Sequence, residues 1–123
     1  MPYYLSANIT SSFRKVFSIL NLAVANIYFN EFVKNDGRQF GLLLSQKYSK
    51  QGDVFINLVI LLSELEENKT LIEIIAMGGA PVSQTMTDIF RNSANEILEV
   101  LKQRNLELEI IEENPHLFRE FTD

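Results

Sequence analysis

The sequence predicts an α+β domain: a two-layer sandwich in which an antiparallel sheet of five to six strands carries two helices on one face. Three observations point there. Several short segments alternate apolar and polar residues at the period of a strand, and two others repeat apolar residues at i, i+3 and i+4, the period of a helix face. The connections between the alternating segments are short and rich in Asn, Asp, Gly and Glu, as in a meander. One sheet and two amphipathic helices then share a single apolar interface, which two layers provide. A chain of 123 residues suits one domain, read as residues 1–113, followed by a C-terminal tail over 114–123.

The first element is a strand, because Tyr3, Leu5, Ala7 and Ile9 alternate with Tyr4, Ser6, Asn8 and Thr10. Thr10, Ser11 and Ser12 supply hydroxyls of the kind that cap a helix N-terminus, and Phe13, Val16, Phe17, Leu20 and Val24 follow as one helical stripe. Residues 25–34, ANIYFNEFVK, read as a strand from their aromatic and β-branched content, although Tyr28, Phe29, Phe32 and Val33 also fit further turns of the helix. Asn35, Asp36 and Gly37 tolerate positive φ and make a hairpin turn. A strand then runs from Gln39 to about Tyr48, and Lys50 to Asp53 turns the chain. Val54 to Leu62 is nearly all apolar, the pattern of a central strand covered on both sides. Glu66 to Lys69 turns again, and Leu71 to Met77 is the next strand.

Further on, Met86, Ile89, Phe90, Ala94, Ile97, Leu98 and Leu101 keep helical rhythm, with Thr85 and Asp88 as a capping-box-like start. Leu106 to Ile110 alternates strictly and has one acidic side, which suits a sheet edge where like charges discourage stray pairing. The resulting order looks like the TBP-like or helix-grip group, with a ferredoxin-like arrangement as the alternative. Fold analogy of this kind carries no function.

Composition narrows the function classes. The chain has no cysteine, which removes disulfides, thiolate metal sites and thiol nucleophiles and fits a reducing cytoplasm. No charged segment followed by an apolar run opens the sequence, so no secretory signal is read there. The longest apolar stretch, Phe55 to Leu62, is too short to span a bilayer, so no membrane partner is expected. A net charge of −5 without a basic stripe argues against nucleic acid. That charge is uneven: six bases face three acids up to Ile60, and five face thirteen beyond it. Basic and acidic elements side by side in one fold explain this, and complementary faces in a homo-oligomer are the second reading.

The stretch IIAMGGAPVSQTM, residues 74–86, joins a strand to a helix through two glycines. It lacks the Lys of a Walker loop, the spacing of a dinucleotide fingerprint and the flanking glycines of a nucleophile elbow. It reads first as a corner stiffened by Pro81, and second as a weak anion or small-ligand site drawing on Tyr48, Gly78, Gly79, Ser83 and Thr85. The one histidine, His116, stands in the tail beside Pro115, without a fixed partner for acid–base work. The glutamate runs lack the ligand spacing of a hard-cation loop. No catalytic constellation, metal site or cofactor is therefore expected. In the tail, Leu117, Phe118 and Phe121 form an apolar patch that either folds back over the domain or docks in a neighbouring subunit or partner groove. Nine Phe and four Tyr could also line an apolar cavity between helices and sheet, against the simpler expectation of a filled core.

QKYSKQGDVFINLVILL (Gln46 to Leu62) and IIAMGGAPVSQ, together with the SANIT start, resemble a family of small uncharacterised bacterial proteins, a domain of unknown function. Ala80 and Pro81 depart from the Ser and Gln expected directly after the glycines, and the resemblance implies no activity. The expectation is a small cytoplasmic, non-enzymatic domain that forms a homodimer or binds a protein partner. The alternative is a binder of a small apolar ligand, with its pocket between helices and sheet.

Overall fold

The computed structural model describes residues 2–24, 26–50, 53–78 and 84–114. Alternation and helical periodicity translate into β1 (Tyr3–Thr10), α1 (Phe13–Ala23), β2 (Asn26–Val33), β3 (Gln39–Ser49), β4 (Val54–Glu66), β5 (Lys69–Gly78), α2 (Gln84–Lys102) and β6 (Glu107–Asn114). The strands form one six-stranded sheet in the order β2-β3-β4-β5-β1-β6, and every neighbouring pair is antiparallel. A ferredoxin-like chain, β-α-β-β-α-β, has two strands between its helices; here four strands, β2 to β5, lie between α1 and α2.

Local chemistry sets the ends of the helices. The Ser12 side chain accepts a hydrogen bond from the Lys15 N–H at 3.3 Å, satisfying one of the orphan donors at the start of α1. The helix stops at Val24, whose backbone is extended, so residues 26–33 are free to pair with β3 as the predicted strand. Helix α2 already begins at Gln84, which puts Thr85 inside its first turn and not at a capping position. At its other end Asn105 is left-handed (φ 63°), and Leu106 N–H bonds to the Leu101 carbonyl at 3.3 Å, closing a Schellman turn. Gly37, at φ 85°, completes the β2–β3 hairpin where sequence placed it. There the Arg38 N–H donates to Asp36 and holds its carboxyl below the usual range.

Strand pleat divides the sheet into two faces. Leu43, Ile60, Ile74 and Leu5 form one cross-strand row, fully buried beneath the helices. Phe13, Val16, Phe17 and Leu20 from α1, with Phe90, Ala94, Leu98 and Leu101 from α2, complete the core. Two sheet glycines let helix rings come close. A Cβ on Gly41 would stand 2.8 Å from Phe17, and one on Gly78 3.1 Å from Phe90. The expectation that β4 is covered on both sides needs correction. Both helices pack on the face of Ile56, Leu58, Ile60 and Leu62, and no described element covers the opposite face.

The two edges differ. On β6, Ala7 pairs with Ile110 and Ser6 with Glu112, so Ile111 is a bulged residue that bends the edge, and glutamates flank it. On β2 the edge side chains include Ile27, Tyr28, Phe29, Phe32 and Val33, all exposed.

Candidate functional site

A sheet with one wet face should alternate apolar and polar residues. In β3 and β4 the helix-free face is instead largely apolar, with Phe40, Leu42 and Leu44 on β3 and Val59 and Leu61 on β4, bordered by Ser63 and by Gln46, which donates to Asn57 at 2.9 Å. Leu71, Ile75 and Met77 on β5 extend it, all of them half-buried. Backbone register aligns these residues into rows across the sheet. One row runs Asn114, Tyr4, Ile75, Val59, Leu44, Tyr28 from β6 to β2, without a charge. Towards β2 the Phe32 ring stacks on Phe40 with centroids 5.2 Å apart, and Phe32 is 46% exposed. At one end of the face Tyr48 and Phe55 meet edge to face.

The opposite flank of the same face is acidic. Glu107, Glu109 and Glu112 on β6 pair with Thr10, Asn8 and Ser6, and Glu73 lies beside Ser6 on β5. Tyr4 donates to Glu73 Oε2 at 2.7 Å. Burial, followed by that hydrogen bond to a carboxylate, pushes the Tyr4 hydroxyl up to about 12, because both disfavour a phenolate. Tyr3, on the helix side of β1, donates to Glu113 and is raised for the same reasons.

Of the residues predicted to bind a ligand, Tyr48, Gly78 and Thr85 are among those described, and Tyr48 and Gly78 stand on opposite faces of the sheet. Tyr48 is on the helix-free face, where its hydroxyl donates to Asp53, a bond that raises its pKa. Gly78 ends β5 in register with Ile56, on the helix side, and serves the approach of Phe90. Thr85 belongs to α2, while Gly79 and Ser83 lie outside the described residues. Leu117, Phe118 and Phe121 of the tail, and His116, also lie outside them.

An open cleft of about 240 Å³ separates β3 from α2, and the Lys47–Glu96 ion pair (2.5 Å) spans its wall. A groove of about 500 Å³ at the far end of the sheet is lined by Asn8, Thr10, Glu66, Lys69, Glu107 and Glu109. Among the described residues no group of acidic or histidine side chains is placed to hold a metal ion. Between helices and sheet the rings fill the space: Phe13 stacks on Phe17 at 5.8 Å, and Phe90 is buried against Gly78.

The apolar face is the feature that sequence reasoning missed. Its signal was present in the apolar run of β4, interrupted only by Asn57, which needs a cover on each side that two helices on one face cannot supply. No protein-family model matches this chain, and no curated protein or solved structure matches it either. Among the described residues no helix is long and apolar enough to cross a membrane.

Proposed function

We propose that this protein works by association and not by catalysis, and that the helix-free face of its sheet receives a second copy of the chain. The observation that carries this reading is the contiguous apolar surface on β3, β4 and β5, where an antiparallel sheet with one wet face would be polar. Six strands about 4.8 Å apart, from 8 to 13 residues long, give a face of at least roughly 700 Å². That approaches the ~800 Å² each partner contributes to a standard interface.

Charge selects the orientation. A two-fold axis parallel to the strands lays the acidic β6 flank of one copy over the uncharged Tyr28, Asn30 and Phe32 of the other. An axis across the strands would set the Glu107, Glu109 and Glu112 edges against each other. The absence of cysteine supports a cytoplasmic setting, and the net charge of −5 supports a protein partner over nucleic acid.

Sedimentation velocity at micromolar concentrations tests this. The protein should run as a dimer, and Leu61→Glu should weaken it at least ten-fold with an unchanged circular dichroism spectrum. A Leu61→Glu protein that dimerises like the wild type rules the face out.

A further inference from the structure

We propose that the acidic groove at the hairpin end of the helix-free face receives the β2–β3 hairpin of a second copy, with Lys34 and Arg38 as the side chains that enter it. The inference rests on the association reading and names the contact that sets the two copies in register.

Backbone pairing carries the argument from the strands into the turn. The Lys34 N–H donates to the Arg38 carbonyl at 2.8 Å, so these residues form the next cross-strand pair after Val33 and Gln39. They continue the alternation of Phe32 and Phe40 and so stand on the helix-free side. Asp36 lies between them in the turn, where its carboxylate accepts from the Arg38 N–H. Phe40 pairs with Ser63, which places Arg38 towards the Glu66 end of β4. Glu66 pairs with Lys69, and Thr10 with Glu107. Ile9 pairs with Thr70, which brings Thr10 beside Lys69. From β2 to β6 this end of the sheet therefore reads Lys34, Arg38, Glu66, Lys69, Thr10, Glu107.

That row is its own complement. A two-fold axis parallel to the strands keeps each residue in its row and reverses the order of the strands. Lys34 of one copy then lies over Glu107 of the other, Arg38 over Thr10, and Glu66 over Lys69, so no like charges meet. The groove of about 500 Å³ under the hairpin presents Glu66, Glu107 and Glu109 against Lys69, and is acidic. Within one chain these charges are unmatched. Among the described residues Arg14, Lys47, Arg91 and Lys102 form ion pairs, whereas Lys34, Arg38, Lys69, Glu66, Glu107 and Glu109 form none. Asn8, which also lines the groove, has a buried Oδ1 that no donor reaches. It stands two residues, about 7 Å, from Thr10 along β1, and a guanidinium over Thr10 brings five N–H donors.

Charge reversal on each side, and then on both, tests the contact. At micromolar concentration and low salt, full-length Lys34→Glu/Arg38→Glu protein should dimerise at least ten-fold more weakly than wild type in sedimentation velocity. Full-length Glu107→Lys/Glu109→Lys protein should do the same. An equimolar mixture of the two should recover a dimer close to wild-type affinity, and native mass spectrometry should show it to contain one chain of each kind. That recovery also shows that both variants fold. Variants that each dimerise like wild type overturn the groove contact, as does a mixture no tighter than its components. If Leu61→Glu still breaks the wild-type dimer in that case, the association reading stands without the groove. A wild-type protein that stays monomeric overturns both.

Discussion

Tyr4 shows what a single hydroxyl on the acidic flank costs at high pH. Its pKa is raised from 10.0 to about 12, first by burial and then by Glu73. A folded-state pKa above the unfolded one means that the native state holds the proton longer, so the associated stability is complete below about pH 10 and is lost as pH rises towards 12. Urea denaturation between pH 8 and 12 should show that loss, and Tyr4→Phe should reduce it without abolishing it, because Tyr3, which is raised further, and Tyr48 act in the same direction. Equal slopes in the two proteins would reject the assignment. Other residues differ in how far their roles were legible. Ser12 and Gly37 act on groups within three residues of themselves, and their roles could be read from the sequence. Gly78 acts on a ring from α2, twelve positions on, so in the sequence it reads only as a turn or ligand signal. Asn105 also acts locally, yet its left-handed turn carries no signal beyond one Asn after a helical stripe.

Elements were legible where periodicity was clean and became less so where pairing overrode it. Residues 25–34 fit two periods, and the pairing of Phe29 with Leu43 and Phe32 with Phe40 decides for the strand. Strand β4 runs on to Glu66, past the expected end at Leu62, because the ladder is made by backbone groups and tolerates Ser63 and Glu64 opposite Leu71 and Thr70. Strand β6 runs on to Asn114 because the bulge at Ile111 breaks the alternation without ending the pairing. The packing of α1 on β3 gives a test with opposed signs. Gly41 has an ordinary backbone conformation, so Gly41→Ala would stabilise by about 0.4–1 kcal/mol through the unfolded chain alone. The Phe17 ring 2.8 Å from the new methyl, with Phe13 behind it at 3.1 Å, reverses this. A net loss of about 1–3 kcal/mol is expected from overpacking. It would be read as a lower urea midpoint at unchanged m, and a gain in stability would show that the rings can give way.

For the whole molecule, layer count and element order were legible, and the use of the second sheet face was not. Apolar residues on both faces of β4 and helices on one face are each readable, and only their conflict marks the surface. The uneven charge also acquires a place, since Glu107, Glu109 and Glu112 gather on one flank of that face. Sheet order has a consequence in time. Strand β1 is synthesised first, but its neighbours are β5 and β6, so Ala7 waits for Ile72 and then Ile110. The hairpins of β2 to β5 close short loops and can pair while β1 is still single, because loop closure costs more for distant partners. In pulsed hydrogen exchange during refolding, amides of Leu43 and Ile60 should gain protection before those of Leu5 and Ala7, and simultaneous protection would contradict this order. Until β6 leaves the ribosome, β1 has at least one free edge, and the emerging chain is open to pairing with any other strand nearby.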